Sequence, residues 1–515
     1  PPQAQLHRSL SGPAPAVHLH RFHGGLDLPG HKAESTAGGL RRLPPPARLY
    51  LSVLQHAGLP AGPCVAVGDA VARGQRIAIA EGAAGADLHS PVAGTVLAIE
   101  DRALPGTAGI EVAHIVIEPA PEGPLQSLPP LPEDADADTL RARIRDAGVV
   151  GLGGAGFPTA GKLAAARATL VINGAECEPW IACDDALLRE HADEVVRGAR
   201  LMARASGASR VLLAVEDSMR EAIAACGEAV QAHGQGEVEL VVVPTRYPEG
   251  GERQLIQVLT GLEVPRGGLP RDIGVIVLNV GTVRAAWRAV VLGEALFERV
   301  VTVTGPGVSK PGNFIVPLGM PVADLVEHAG GYTPAARRLM LGGPMMGTAL
   351  PHDDFAIGKT HNCVLVLGEA ELRRGDDEMP CIRCGDCASA CPSRLLPQQL
   401  LWQARAERLD EARGQGLFDC IECGCCDLVC PSHIPLTQQF RLAKGELLAR
   451  DADAANAEAA RLRFENRRER LERESREREA RLAARKDAAS PDAVAAALER
   501  ARAKRAASDD AGERP

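Results

Sequence analysis

The sequence predicts a multidomain chain of α/β and β modules that ends in a small cysteine-rich domain and a long helical tail. Three observations carry this prediction. Short apolar stretches broken by Gly and Pro fill residues 48–120, the mark of a small β domain. From 138 to about 300, apolar runs alternate with stretches of helical period, the mark of a parallel sheet wrapped by helices. Two cysteine runs of one spacing fall between residues 375 and 445. The 515 residues leave room for three or four domains, and 45% hydrophobic content supplies a sizeable core.

Residues 1–47 form an N-terminal arm rich in Gly, Pro and His, in which His18, His20 and His23 alternate. No further ligands lie nearby in sequence, so the arm is expected to be an extended segment with polar residues on one side, not a metal site. In residues 48–120, Val65–Ala80 and His89–Ile99 each read as strand, turn, strand. They resemble a biotinyl/lipoyl-type barrel-sandwich hybrid. That family carries a modified Lys at the hairpin tip; the matching stretch here, His89-Ser90-Pro91-Val92-Ala93-Gly94, has none, so the resemblance implies shape without a swinging arm. Residues 121–137 are Pro-rich and acidic, a linker.

In the α/β module, residues 138–297, Leu170–Asn173, Val211–Val215, Val238–Val243 and Val275–Val280 are the expected strands. Helices are expected over Asp185–Ala205 and Ser218–His233. Residues 298–350 return to short β elements with a helix at Val322–Ala329 and resemble a β-grasp SLBB module. Residues 446–515 read as a charged tail, helical or disordered, with Glu469/Arg473, Glu472/Arg476, Glu474/Arg478 and Glu477/Arg481 at the i,i+4 spacing that supports exposed helix.

The domain over residues 375–445 holds the sharpest chemistry. Cys381-x-x-Cys384-x-x-Cys387-x-x-x-Cys391-Pro392 is repeated as Cys420-x-x-Cys423-x-x-Cys426-x-x-x-Cys430-Pro431. This is the ligand pattern of a 2[4Fe–4S] ferredoxin, in which three close thiolates hold one cluster and the fourth, before Pro, reaches the other. It assigns one cluster to Cys381, Cys384, Cys387 and Cys430, and the second to Cys420, Cys423, Cys426 and Cys391. Zinc sites use Cys-x-x-Cys pairs but have no need of three-residue steps plus Cys-Pro twice over. Pairs this dense also fit a disulfide framework poorly. Cys425, beside Cys426, falls outside the spacing and is expected to be a small buried thiol, as are Cys64, Cys177, Cys183, Cys226 and Cys363. Fourteen cysteines, eight of them in these runs, argue for a reducing compartment.

A second constellation is Gly151-Leu-Gly153-Gly154-Ala-Gly156-Phe157-Pro158-Thr159-Ala-Gly161-Lys162. Glycines this dense let backbone N–H groups approach a phosphate, and a helix N-terminus after them favours an anion. The segment resembles the G-x-G-G-A-G-F-P-T motif of the flavin-binding, 51-kDa-type subunit of respiratory complex I. Asn173-Gly-Ala-Glu176-Cys-Glu178-Pro179 resembles that family's N-A-D-E-G-E-P stretch. Glu249-Gly-Gly-Glu252 resembles its G-E-E-T region, and Asn279-Val-Gly-Thr282 its N-N-V-E-T. The resemblance implies a Rossmann-like domain binding FMN and NADH in one cleft. By the same resemblance Lys162 and the glycines hold phosphate, and Phe157 walls a ring. Asn173, Glu176 and Glu178 contact ribose and orient the nicotinamide, while Glu252 and Asn279 complete the cofactor-binding set.

The order of modules resembles the RnfC family, found in the Rnf (Rsx) ion-translocating electron transport complexes, over about residues 15–445. That family implies an NADH-linked translocase subunit, peripheral on the cytoplasmic face of the bacterial inner membrane. Its implied partners are integral-membrane subunits and a ferredoxin-like subunit. The cofactors give a second argument: NADH delivers two electrons, a cluster accepts one, and FMN converts between them. No catalytic acid, base or nucleophile is needed. A microcompartment cobalamin reductase shares the flavin and two-cluster modules and is the alternative enzyme. A flavin-free electron-transfer adaptor is the alternative outside enzymes. A net charge of −9 gives no support for a nucleic-acid partner. No stretch approaches the ~20 apolar residues of a membrane helix, and no signal-peptide pattern opens the chain.

Overall fold

The computed structural model describes residues 18–82, 85–107, 109–164, 167–372, 377–488 and 490–509. Of the expected N-terminal arm, residues 1–17 lie outside this range, as do residues 510–515 of the tail. Two compact units emerge, Pro1–Arg441 and Leu442–Pro515.

In the first unit, a four-stranded antiparallel sheet runs Leu49–Ser52, Glu111–Pro119, Gly94–Ala103, Ala70–Val71. Beside it lies a three-stranded sheet of Gly62–Pro63, Arg76–Ile79 and Leu88–His89. Alternation places Leu49, Leu51, Ile115 and Ile117 inward. They share a core with Phe314, Val316 and Leu318 of the next sheet. The turn His89–Gly94 is buried throughout, so it could not present a modified side chain even if it had one. Cys64, expected inside, is exposed: it follows the two-residue edge strand Gly62–Pro63, both of whose residues face solvent.

The α/β module is built on a fully parallel four-stranded sheet. Its order is Val238–Val243, Arg210–Glu216, Thr169–Gly174, Val275–Asn279. The strands are Val/Leu/Ile-rich because helices cover both faces. The helix Cys183–Ser206 and its neighbour Arg220–His233 bury Leu188, Val195, Ala199, Met202 and Cys226 on one face. The helix Glu252–Thr260 buries Leu255, Ile256 and Leu259 on the other. The chain winds outward from the central strand Thr169–Gly174 to Val238–Val243, then returns to the opposite side with Val275–Asn279. That reversal opens a crevice at the carboxyl ends of the two strands, where open α/β sheets take their ligands.

The β-grasp region widens into a six-stranded sheet, in the order Arg41–Arg42, Gly312–Pro317, Glu298–Thr304, Cys363–Leu367, Arg338–Leu341, Thr348–Leu350. Two of its strands lie outside residues 298–350: Arg41–Arg42 from the arm and Cys363–Leu367 from beyond. The short apolar run Cys-Val-Leu-Val-Leu, buried along its length, pairs between two strands of the module.

The cysteine-rich segment carries short helices at Asp386–Ala390, Pro397–Arg405, Leu409–Gly414 and Cys425–Leu428. The last long helix, Leu436–Ala488, starts ten residues before the expected tail because its first turn belongs to the cysteine site. There Thr437 N–H donates to the Asp427 carboxylate at 2.9 Å. In the second unit this helix and Pro491–Asp509 are exposed and highly charged. The ion pairs formed there include Arg461 with Glu458 and Glu465, and Arg468 with Glu472.

Candidate functional site

The two cysteine runs fold into loops of one backbone pattern. Arg383 (φ 59°) and Gly385 (φ 88°) are left-handed in the first; Glu422 (φ 58°) and Gly424 (φ 75°) hold the same positions in the second. The repeat extends past each Cys-Pro, to Arg394 (φ 53°) and His433 (φ 53°). Left-handed conformations cost side-chain-bearing residues roughly 1–2 kcal/mol each, so four non-glycine residues placed this way in register mark a shape imposed by the site. The shape turns backbone N–H groups toward sulfur: Glu422 N–H reaches Cys420 Sγ, and Leu395 N–H reaches Cys391 Sγ, both at 3.4 Å.

Cys381, Cys384, Cys387 and Cys430 line one cavity of about 360 Å³, with Leu401, Trp402, Ile434 and Leu436 as its apolar wall. Cys391, Cys420, Cys423 and Cys426 line a second, smaller cavity with Leu395, Ile421 and Phe440. Of the cysteines in the repeated spacing, each cavity thus draws three from one run and the fourth from the other, and Cys425 also lines the second. Four thiols, apolar walls and N–H groups aimed at sulfur fit the donor set and surroundings of a [4Fe–4S] cluster. Cys425 is fully buried beside the second set, as expected of a packing thiol.

The crevice of the α/β module gathers most of the other predicted residues. The glycine loop closes on itself, Gly151 N–H to Phe157 O at 2.9 Å and Gly156 N–H to Gly151 O at 3.2 Å. Leu152 N–H donates to Thr282 Oγ1 at 2.8 Å, pinning the loop over the end of strand Val275–Asn279. Gly154 (φ +111°) has open space where a Cβ would stand, so the backbone there is bare. Gly156 (φ +61°) is tight, since a Cβ would come within 2.8 Å of Thr360 Cγ2. Phe157 is partly exposed beside them. The helix after the loop is a single turn, Thr159–Lys162, too short for the dipole expected of it; backbone N–H groups of the loop are what remains to meet an anion. Thr159 Oγ1 is buried there with no hydrogen-bond partner.

Lys162 pairs with Glu252 at 3.0 Å. Asn173, at the end of the central strand, donates to Gly250 O at 2.8 Å and accepts from Ala175 N–H at 2.9 Å, holding two loops together. Asn279 caps the helix Val280–Trp287 through Gly281 N–H at 2.9 Å and donates to Asp184 at 2.6 Å. Glu176 serves the helix Cys183–Ser206, whose own cap residue, Ala182, has no side-chain acceptor. Its carboxylate accepts from Asp184 N–H at 3.0 Å and Asp185 N–H at 3.3 Å. Glu178 points elsewhere, accepting from Met345 N–H at 2.8 Å and Met346 N–H at 3.1 Å.

Four further groups join the crevice: Lys32, Asp184 and Glu216 without a sequence signal of their own, and Glu249 from the stretch that ends in Glu252. Lys32, from the arm, donates to Glu176 O and lies 3.7 Å from its carboxylate. Burial works against its charge, but Glu176 and Glu216 outweigh it and raise its pKa. Burial, then the Glu176 charge, pushes Asp184 up to about 7. Burial pushes Glu216 up to about 7, and Glu249 to about 8 with Glu216 adding to it. Glu216 ends its strand and Glu249 follows the next one in sequence; each keeps one buried carboxyl oxygen without a partner. Bare backbone at the glycine loop and unpartnered buried polar atoms at the strand ends fit a polar planar cofactor with a phosphate.

Comparison with known proteins agrees with this reading of the modules. Residues 20–122 match the RnfC barrel sandwich hybrid domain, 144–288 the Nuo51 FMN-binding domain, 300–349 the SLBB domain and 380–434 the 4Fe-4S dicluster domain. The C component of the ion-translocating oxidoreductase complex of Pseudomonas aeruginosa is 47% identical over 447 residues, 85% of this chain and 57% of the relative. The protein of the same name from Yersinia pestis is 43% identical over 441 residues, 85% of this chain and 71% of the relative. The chain belongs to the RnfC family of ion-translocating oxidoreductase complexes. It spans 57% of the Pseudomonas member and 55% of one from Erwinia tasmaniensis. It carries an FMN-binding domain and a two-cluster domain. An NAD+-reducing [NiFe]-hydrogenase structure overlaps at 22% identity and a TM-score of 0.44, covering 60% of this chain and 63% of its own, too slight a likeness to add to this. Among the described residues no helix is long and apolar enough to cross a membrane.

Proposed function

We propose that this chain is the electron-input subunit of an ion-translocating NADH:ferredoxin oxidoreductase complex, taking electrons from NADH and passing them one at a time toward the membrane partners. The observation that carries the reading is the meeting, in one compact unit, of a flavin-type crevice and two four-cysteine cavities. Bound FMN supplies the conversion between a two-electron hydride and one-electron carriers.

In this reading the backbone of Gly151, Gly153, Gly154 and Gly156, with Lys162, holds the phosphate, and Phe157 walls a ring. Asn173, Glu176, Glu252 and Asn279 line the crevice for ribose and nicotinamide, while Glu178, held by the Met345 and Met346 N–H groups, stands apart from them. Cys381, Cys384, Cys387 and Cys430 ligate one cluster; Cys391, Cys420, Cys423 and Cys426 ligate the other. The partners are integral-membrane subunits and a ferredoxin-like subunit, and the chain sits peripherally on the cytoplasmic face of the inner membrane. Support comes from the family's name and from the lack of any described membrane-crossing helix.

The test is anaerobic purification with flavin, iron and sulfide quantified, then NADH addition followed by absorbance. One FMN, about eight irons and bleaching of both chromophores are expected. Eight irons with no flavin would instead leave an electron-transfer adaptor.

A further inference from the structure

Tyr247 lies between the crevice and one of the two cysteine sets. It follows the strand Val238–Val243 on the loop that continues into Glu249, Gly250 and Glu252, and it is almost fully buried. Its hydroxyl donates to Cys423 O at 2.7 Å. Glu178 accepts from Met345 N–H at 2.8 Å. Met345 packs with Tyr247, Ala390, Cys423 and Cys425 in one apolar cluster. Gly424, next to Cys423, would bring a Cβ within 3.2 Å of Met345 O. The arm closes the other side: Leu26 and Tyr247 exchange two backbone hydrogen bonds at 2.7 and 2.9 Å, Gly25 N–H donates to Ala390 O at 3.0 Å, and His23 Nδ1 bonds Cys391 O at 2.9 Å. The Cys381 set is more open: behind it stand Leu401, Trp402, Ile434 and Leu436, but Cys384, Ile382 and Met379 are exposed.

We infer that Tyr247 is a positioning residue that ties the Cys391/Cys420/Cys423/Cys426 cluster to the flavin crevice, making this cluster the first to receive an electron and the Cys381 set the second. The inference rests on the flavin-and-cluster reading above. In the transfer, one electron leaves the reduced flavin and enters the oxidised cluster; no bond in the protein forms or breaks. The phenol's part is electrostatic and geometric. A hydrogen bond to the carbonyl of a ligand residue fixes that peptide and places a dipole beside the cluster, whose potential responds to the charges, burial and hydrogen bonding around its sulfurs.

The test uses the full chain and Tyr247→Phe, which keeps the ring and removes only the hydroxyl. The clusters' paramagnetic signals are assigned with Cys384→Ser, which spares the Cys420 set. In a mediated dithionite titration, the midpoint potential of the Cys420-set cluster is expected to move and that of the Cys381 set to stay. After mixing with NADH, flavin reduction is expected at the parent rate and cluster reduction about tenfold slower. Unchanged potentials and rates, or a shift confined to the Cys381 set, would overturn the inference. A second measurement needs no variant: rapid-freeze spectra of the parent with substoichiometric NADH should show the Cys420-set signal first, and the reverse order would overturn the assignment. The dithionite titration needs neither NADH nor flavin, so failure of the NADH reading is distinguishable from failure of the role of Tyr247.

Discussion

The two cysteine sets have the same local structure and different surroundings. Their loops place left-handed residues at the same positions, Arg383 and Gly385 in one and Glu422 and Gly424 in the other. Yet Cys391, Cys423 and Cys426 are buried, with Cys423 packed in one cluster with Tyr247, Leu26 and Met345, and only Cys420 half-buried, while in the other set Cys384 is exposed and the rest are half-buried. Local sequence builds a cluster cradle twice; the tertiary fold decides which cradle faces the crevice and which faces outward. The inferred order of reduction rests on the difference in surroundings, because potential depends on burial and hydrogen bonds around sulfur.

The largest effects should come from removing one ligand of each set. Cys423→Ser and Cys384→Ser should each lose about four irons, measured by iron analysis. In Cys423→Ser, NADH should bleach flavin and leave the remaining cluster oxidised; in Cys384→Ser it should still reduce the remaining cluster. Equal behaviour of the two variants would erase the distinction between the sets.

Next come the matched glycines. Alanine at Gly385 (φ 88°) meets nothing within 4 Å, whereas at Gly424 (φ 75°) it meets Met345 O at 3.2 Å. Both substitutions carry left-handed strain of about 1–2 kcal/mol, and Gly424→Ala adds the contact. Thermal melting should therefore fall several degrees in both and further in Gly424→Ala.

The crevice beside the buried set should show itself in pH dependence. Folding raises Glu249 from 4.5 to about 8 and Glu216 from 4.5 to about 7, chiefly by burial. A raised carboxyl pKa means the folded state binds the proton more tightly. The stabilisation is therefore complete below about 4.5 and is lost as pH rises through 7 and 8. Melting temperature should drop between pH 6 and 9 by a few degrees, and Glu249→Gln should flatten that slope. The smallest effect belongs to the second unit: Glu465→Ala, removing an exposed pair with Arg461, should leave the chemical-denaturation midpoint unchanged.

Much of this was legible in sequence where the signal is local. The four parallel strands fall within a residue or two of their expected positions because each is a short Val/Leu/Ile run. The two cysteine sets assemble as spacing implies because three-residue steps wrap a loop whatever lies around it. Contacts between distant residues were not legible. Lys32 meets Glu176 across 144 positions and Tyr247 meets Cys423 across 176, and no periodicity encodes either pair. One signal was available for Tyr247: the chain has only three tyrosines, and this one immediately precedes the Pro-Glu-Gly-Gly-Glu stretch of the flavin motif. The role of Glu176 as helix cap was also hidden, since Ala182 gives no hint that the cap comes from six residues earlier.

The central claim is that one chain converts two-electron input into one-electron output. Anaerobic titration with NADH tests it most directly, by counting equivalents against the protein. A flavin taking two electrons and two clusters taking one each should bring the end point to about two NADH per chain, with both chromophores bleached. An end point of about one, with the clusters still oxidised, would contradict it.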